Sequence, residues 1–235
     1  MKWADIHAIA FDLDGTLIDS LPDLMAAANA MRRVFGLDRL PESTMAQFVG
    51  DGIVRMVHRA LSGEQNGEVN EADWQRGFSV FVDYYHRHIA DNSRVYPQVE
   101  SALVLFRQQN LPLAVITNKN EVLAVQLLKA LQLADYFSLI IGGDTLSEKK
   151  PSALPLLHTA EVLGVSIEHL LMVGDSANDI LAAKAAGALC AGVRWGYGDM
   201  AVLQQQKATQ ADMVVDALSE IYDCLRPALP ENQQL

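Results

Sequence analysis

Short apolar runs that alternate with helical patterns constrain the fold of this chain most strongly. These runs end abruptly in polar or glycine residues, and they are His7–Phe11, Leu113–Thr117, Leu139–Gly142, Leu170–Gly174 and Leu189–Val193. Helical patterns alternate with the later runs, at Gln98–Gln109, Glu121–Leu131, Ala153–Leu163 and Ile180–Ala186. Buried strands that alternate with helices are typical of an α/β fold with a parallel sheet, which we therefore predict.

A long segment between the first and second runs, about residues 20–94, carries helical patterns only. Its start predicts a capping box from Ser20 to Asp23 with Pro22 in the first turn. An aromatic stripe at helical spacing, from Trp74 to Tyr85, indicates the core of a helical subdomain. Because both ends of the segment connect to the sheet domain, the segment can close over the strand ends as a lid.

These patterns divide the chain into a core, an insertion and a tail. We predict a Rossmann-like catalytic core formed by residues 1–19 and 95–228, with a small inserted α-helical domain at residues 20–94. The last residues, 229–235, are expected to be a frayed C-terminal tail.

Composition and charge exclude several classes of protein. The net charge of −11 over 235 residues argues against nucleic acid or an anionic membrane as the main partner. No apolar run approaches the roughly 18 residues that span a bilayer, and Cys190 and Cys224 lack the spacing of a metal site. We expect a cytoplasmic protein that is a monomer or a homodimer.

Polar groups follow four of the predicted strands or their loops. They are Asp12 and Asp14, then Thr117-Asn118-Lys119, then Lys149-Lys150-Pro151, then Asp175 and Asp179. Taken singly, each group is typical of a turn, a helix cap or a solvated face. Because ligands bind beyond the carboxyl ends of parallel strands, we expect the four groups to converge on one site.

The converging groups contain what phosphoryl transfer through a carboxylate needs. Carboxylates of this kind suit Mg²⁺ bound together with water and substrate phosphate. One carboxylate can attack phosphorus to give an aspartyl-phosphate, while a second protonates the leaving alcohol and then activates water. The ammonium group of Lys150 supplies the positive charge that lets a phosphate share a site with carboxylates.

Further donors are expected around the phosphate. Gly15 allows the backbone to pass close to it, and the amide groups of Gly15 and Thr16 could form an anion nest. Thr117 and Asn118 can donate hydrogen bonds to phosphoryl oxygens.

The stretches "DLDGT", "TN", "KP" and "GDSAND", in this order and spacing, resemble the haloacid dehalogenase-like hydrolases. The resemblance implies that Asp12 is the nucleophile and Asp14 the general acid and base, with Thr117 as the hydroxyl of the second motif and Lys150 as the lysine. It implies that Mg²⁺ is held by Asp12, the backbone carbonyl of Asp14 and Asp175, with Asp179 alongside. The inserted helices look like the small α-helical cap of that family.

Within the family, the stretches "VGDGIVRMVHRAL", "VYPQV" and "IGGDTLSEKKP" resemble bacterial phosphoglycolate phosphatases. This implies a small anionic phosphoester as substrate, 2-phosphoglycolate, hydrolysed to glycolate and phosphate. The loop "KPSALP" departs from the family, because Ala153 stands where a second proline is expected. A carboxylate on the substrate requires a cation or amide donors, for which Arg55 and the close-approach position Gly52 are the candidates.

Other functions compete with this interpretation. A phosphatase or mutase of the same superfamily could act on a sugar phosphate or another small phosphoester. A dehalogenase needs no general acid, so Asp14 argues against it. A non-catalytic signalling module that binds phosphate and Mg²⁺ also uses an acidic cluster, a hydroxyl and a lysine, but such modules resemble a fold of about half this length without a helical cap.

Overall fold

The computed structural model describes residues 3–225, and its centre is a six-stranded sheet. In chain order the strands are β1 Ala8–Phe11, β2 Ile18–Asp19, β3 Arg94–Val95, β4 Leu113–Ile116, β5 Leu139–Ile141, β6 Leu170–Gly174, β7 Leu189–Val193 and β8 Met213–Val215. The large sheet has the order β5-β4-β1-β6-β7-β8, and every pair in it is parallel. The predicted α/β class with a Rossmann-like parallel sheet is confirmed. The edge strand β8 was not predicted.

Helices connect and cover these strands. In chain order they are α1 Leu21–Val34, α2 Glu42–Phe48, α3 Ile53–Ser62, α4 Glu71–Arg87, α5 Val99–Gln108, α6 Glu121–Ala130, α7 Leu154–Leu163, α8 Ala177–Ala186, α9 Met200–Leu203 and α10 Leu218–Leu225. No helix among residues 3–225 is long and apolar enough to cross a membrane.

Alternate residues of the central strand β1 enter two separate apolar clusters. Ile9 and Phe11 pack in the larger cluster, which includes residues of α5, α6 and α10. Ala8 and Ala10 pack in the smaller one, which includes residues of α7 and α8. Side chains of a strand point alternately to its two faces, and a parallel sheet must be covered on both. The register pairs Phe11 with Val115 of β4 and with Val173 of β6, so the carboxyl ends of these three strands lie side by side.

The helices α1 to α4 are inserted between β2 and β3. These two short strands pair antiparallel, Ile18 with Val95 and Asp19 with Arg94, so the chain enters and leaves the insertion at adjacent positions. Beside this ladder, the buried carboxylate of Asp23 accepts hydrogen bonds from the backbone N–H and the hydroxyl of Ser93, both at 2.7 Å. The division at residues 20–94 stays a prediction, and the predicted tail at 229–235 and the last core residues 226–228 lie outside the described residues.

Candidate active site

The carboxyl ends of β1, β4 and β6 bring the predicted polar groups together. Asp12 directly follows β1, Thr117 follows β4 and Asp175 follows β6. Lys150 reaches the same place from the loop after β5, and Asp179 does so from the first turn of α8. The convergence expected from the parallel topology is therefore present in the structure.

Asp12, Asp175 and Asp179 form a buried acidic cluster, in which carboxylate oxygens of all three lie within 4.8 Å of one another. Lys150 Nζ lies 2.9 Å from Asp12 Oδ1 and 2.6 Å from Asp179 Oδ1. Burial raises the pKa of Asp12 to about 6, against the opposing effect of Lys150. Burial, together with the charges of Asp179 and Asp12, raises the pKa of Asp175 to about 7. The single ammonium group of Lys150 therefore does not neutralise the three carboxylates of the cluster.

The donor set of this cluster suits a divalent metal ion. Among the described residues, Asp12 Oδ1 is buried without any partner in hydrogen-bond geometry, although it forms the ion pair with Lys150. Asp175 Oδ2 accepts from the backbone N–H of Tyr197 at 2.7 Å, which orients this carboxylate. Closely spaced carboxylate oxygens are the ligands that hard dications prefer. The cluster is therefore a candidate site for a divalent metal ion.

Asp179 has less free capacity for a metal than its two neighbours. Its Oδ1 accepts from Lys150, and its Oδ2 accepts from the backbone N–H and the hydroxyl of Ser176, at 3.0 and 2.7 Å. The bond from the backbone N–H of Ser176 belongs to the capping box that begins α8. The local sequence thus ties Asp179 to the helix start, from where it also holds Lys150.

One residue separates Asp14 from Asp12, but the two carboxylates have different partners. Lys119 Nζ donates to both carboxylate oxygens of Asp14, at 2.9 and 3.0 Å, and Ser20 Oγ donates to Oδ1 at 2.5 Å. The Asp14 carboxylate thus has a cation and a hydroxyl of its own. The two carboxylates therefore face separate environments, as a pair with different chemical roles requires.

Gly15 and Thr16 support the acidic cluster and are not among the residues that line the pocket. Gly15 has a φ of +87°, and a Cβ there would press on the Asp175 carboxylate and the Tyr197 ring. Thr16 is fully buried, and its Oγ1 lies 3.4 Å from Asp175 Oδ1. We expected the backbone at Gly15 to pass close to the phosphate. In the structure it passes close to Asp175 and Tyr197 instead.

Thr117 and Asn118 both line the pocket beside the acidic cluster. The side-chain N–H groups of Asn118 differ from our expectation, because they donate to the carbonyls of Gly50 and Lys150, both at 2.9 Å. Asn118 therefore joins the insertion to the lysine loop, and its side-chain donors are not available to a phosphoryl oxygen. Thr117 Oγ1 accepts from the backbone N–H of Lys119 at 3.2 Å, so its own hydroxyl hydrogen stays available.

The structure brings Gly52 to the pocket but not Arg55. Arg55 donates to Glu68 at 2.8 Å on the surface of the insertion, and it is not among the pocket-lining residues. Ile53 and Met56 line the pocket from the same helix. With 3.6 residues per turn, Arg55 lies roughly 200° around the helix from Ile53. Our expectation that Arg55 contacts the substrate is therefore not supported.

The pocket beside the cluster is lined by both polar and apolar residues. Its polar groups are on Asp12, Asp14, Thr117, Asn118 and Lys119, and its apolar lining comes from Leu24, Phe48, Val49, Ile53, Met56 and Leu123. Tyr85 of α4 completes the lining. Burial raises the pKa of Tyr85 to about 12, so its hydroxyl keeps its proton at neutral pH.

Sequence reasoning missed several groups that the structure brings to the site. Lys119 was noted at a strand end but given no role, and Tyr85 was assigned to the core of the insertion. Tyr197 accepts hydrogen bonds from the backbone N–H groups of Ser20 and Leu21 at 2.8 and 2.9 Å, which links the start of α1 to the acidic cluster. No local sequence pattern predicts the role of Tyr197, because its hydrogen-bond partners lie far away in the chain.

Comparisons with known proteins agree with this geometry. Residues 9–193 match the model of the haloacid dehalogenase-like hydrolase family. The chain is 54% identical over 222 residues to the phosphoglycolate phosphatase of Neisseria meningitidis, which covers 94% of each chain. It is 51% identical to that of Chromobacterium violaceum, with 96% of this chain and 99% of the relative covered.

A solved structure is also closely similar. A predicted phosphoglycolate phosphatase from Haemophilus somnus superposes with a TM-score of 0.88 at 31% identity, covering 94% of this chain and 99% of the other. The fold, the order of the polar groups along the chain and the sequence likeness all agree. The chain belongs to the haloacid dehalogenase-like hydrolase family.

Proposed function

We propose that this protein is a Mg²⁺-dependent phosphomonoester hydrolase that converts 2-phosphoglycolate to glycolate and phosphate. The observation that carries the proposal is the contrast between two carboxylates one residue apart. Asp12 belongs to the buried acidic cluster with Lys150, whereas Asp14 is held by Lys119 and Ser20. The names of the relatives, which are phosphoglycolate phosphatases, support the substrate.

The metal would be held by Asp12, Asp175 and the backbone carbonyl of Asp14, with Asp179 acting through Lys150. Asp12 Oδ1 supports this assignment, because it is buried with Lys150 as its one partner among the described residues. The full set of hydrogen bonds already made by Asp179 supports it as well. When bound, Mg²⁺ offsets the negative charge of the cluster and of the phosphoryl oxygens.

Asp12 is the nucleophile in this proposal. Its carboxylate oxygen attacks phosphorus, the bond from phosphorus to the ester oxygen breaks, and an aspartyl-phosphate forms. Lys150, 2.9 Å from Asp12, stabilises the negative charge at the reacting group. The raised pKa of about 6 still leaves Asp12 mainly ionised at neutral pH.

Asp14 moves the protons of both steps. Its carboxyl group gives a proton to the leaving oxygen of glycolate in the first step. In the second step it takes a proton from water, whose oxygen attacks phosphorus, so that phosphate leaves and Asp12 is regenerated. The bonds from Lys119 and Ser20 hold the Asp14 side chain in one orientation for both transfers.

The pocket lining supports a small leaving group without many hydroxyls. A sugar bound there would place hydroxyls against Leu24, Phe48, Ile53 and Met56, where they would lose their hydrogen bonds to water. Residues 20–94 act as the cap in this proposal, because several of the lining residues belong to them. A cytoplasmic location and a monomeric or homodimeric state stay predictions.

Phosphate release from a panel of esters tests the proposal. The panel contains 2-phosphoglycolate, glucose 6-phosphate and a nucleoside monophosphate, each with Mg²⁺ and with a chelator. We expect Mg²⁺-dependent release with the highest kcat/KM for 2-phosphoglycolate. A higher kcat/KM for the sugar phosphate would reassign the substrate, and the absence of release from every ester would overturn the proposed hydrolase.

A further inference from the structure

Lys119 and Tyr85 form a pair of hydrogen-bond donors in the pocket lining. Both line the pocket, and both are buried, Lys119 with 7% and Tyr85 with 1% of its surface exposed. Lys119 Nζ lies 4.7 Å from the centre of the Tyr85 ring. The pair therefore joins a residue that follows β4 to a residue of α4 in the insertion.

The donors of this pair are not all used within the protein. An ammonium group has three N–H donors, and Lys119 directs two of them to the oxygens of Asp14. The Tyr85 hydroxyl is buried, and Lys119 lies close enough to donate to its oxygen, but its own hydrogen has no acceptor among the described residues. Buried polar groups nearly always have a partner, so a tyrosine at this position, where phenylalanine would fill the same space, points to a ligand.

We propose that Lys119 and Tyr85 form a subsite that binds the carboxylate of the leaving group. This inference rests on the proposed function and deepens it. The carboxylate accepts a hydrogen bond from the Tyr85 hydroxyl, and the third N–H of Lys119, which points towards the Tyr85 oxygen in the free protein, turns to the carboxylate when it binds. Apolar neighbours such as Leu24 and Met56 keep water from competing, and hydrogen bonds to a charged group are strong in such surroundings.

The subsite replaces Arg55 as the means of recognising the carboxylate. Arg55 is paired with Glu68 at the surface, and Arg59, which is buried, donates to Asp51 and to the carbonyls of Phe48 and Gln65. Lys150 is committed to Asp12 and Asp179. Among the described residues that line the pocket, Lys119 is the one with a positively charged side chain.

Two substrates that differ only at this subsite test the proposal. In ethyl phosphate a methyl group stands where 2-phosphoglycolate has its carboxylate. We would measure kcat/KM for both esters with Mg²⁺, for the wild type, Tyr85→Phe and Lys119→Met. Tyr84→Phe is the matched control, because Tyr84 stacks on His88 and does not line the pocket.

The ratio of the two kcat/KM values is the readout. We expect it to fall by roughly tenfold to a hundredfold in Tyr85→Phe and in Lys119→Met, because each variant loses a hydrogen bond to a charged group. Tyr84→Phe should keep the wild-type ratio. A purely positioning role of Lys119 towards Asp14 would lower both kcat/KM values equally, and an unchanged ratio in both variants overturns the subsite.

The subsite and the proposed function can fail separately. A wild type that hydrolyses both esters without preferring 2-phosphoglycolate overturns the subsite but leaves the phosphatase. If neither ester is hydrolysed, the proposed function fails, and calorimetric binding of 2-phosphoglycolate to the wild type and to Tyr85→Phe decides. Binding about tenfold weaker to Tyr85→Phe supports the subsite, whereas equal binding or none overturns it.

Discussion

The side-chain amide of Asn178 donates a hydrogen bond to Asp51 Oδ1 at 2.9 Å, and so ties the first turn of α8 to the loop before α3. The same amide nitrogen lies 3.3 Å from the carbonyl of Gly50, and Lys149 Nζ donates to the carbonyl of Asp51 at 2.6 Å. The loop at residues 50–52 forms part of the pocket wall. These bonds therefore hold that wall against the sheet domain.

Replacing Asn178 by alanine should loosen this wall. Because the variant loses the bonds to Asp51 and Gly50, we expect kcat/KM for 2-phosphoglycolate to fall about fivefold, in line with about 1 kcal/mol for a hydrogen bond. Steady-state kinetics measures this change. Asn66→Ala, at an exposed position, is the control, and an Asn178→Ala enzyme as efficient as the control would show that the loop is held by other contacts.

The carboxylate of Asp51 should contribute to stability in a pH-dependent way. Its pKa is lowered, because the hydrogen bonds from Asn178 and Arg59 and the charge of Arg59 outweigh the opposing effect of burial. The contribution is therefore present above the unfolded pKa of about 3.9 and is lost as the pH falls through the lower folded pKa.

Denaturant unfolding of the wild type and of Asp51→Asn tests this dependence. The difference in the free energy of unfolding should be constant from about pH 5 to 8 and shrink below about pH 4. Asp83→Asn, whose side chain is 68% exposed, should differ little from the wild type at every pH. A difference that grows towards acidic pH would contradict the assignment.

Asp12→Asn should abolish turnover without unfolding the protein. An amide does not attack phosphorus, so we expect a loss of at least about a thousandfold in phosphate release. The substitution removes one charge from the acidic cluster, so thermal unfolding in chelator should occur at the wild-type temperature or above it. Asp5→Asn, at an exposed position, should leave both measurements unchanged, and an active, folded Asp12→Asn enzyme would remove the nucleophile from the mechanism.

Mg²⁺ should stabilise the folded protein through the acidic cluster. A ligand that binds only the folded state at 100 times its Kd adds about 2.7 kcal/mol to the free energy of unfolding. We expect the unfolding temperature to rise with Mg²⁺ and to fall again with chelator, and this rise to be much smaller in Asp175→Asn, which changes one carboxylate of the cluster. The exposed variant Asp223→Asn should respond as the wild type does. An equal rise in all three proteins would locate the ion elsewhere.

The convergence of Asp12, Thr117 and Asp175 could be predicted because it depends on topology alone. Apolar runs mark the strands, a parallel sheet sets their carboxyl ends side by side, and polar residues directly after those runs must then meet. The strand β8 was missed because it has only three residues, Met213–Val215, which are too few to form a distinctive sequence pattern.

Side-chain partners that depend on packing could not be predicted in this way. The predicted capping box at Ser20 is wrong, because Ser20 Oγ donates to Asp14 and the Asp23 carboxylate binds Asn92 and Ser93. Tyr85 has the helical spacing of a core residue. A side chain that faces a closed pocket has the same spacing, so the sequence pattern cannot distinguish the two positions. The direction of Arg55 depends on how α3 packs against its neighbours, which the local sequence does not determine.

The antiparallel pairing of β2 with β3 brings the two ends of the helical insertion side by side. Because Ile18 lies opposite Val95 and Asp19 opposite Arg94, a segment of different length or sequence can be spliced between them while β1 and α5 stay in place, as adjacent ends tolerate inserted domains. The part of the pocket wall that belongs to the insertion can thereby change while the acidic cluster of Asp12, Asp175 and Asp179 stays in place. We expect that replacing this one segment would change the substrate of the enzyme without changing its chemistry.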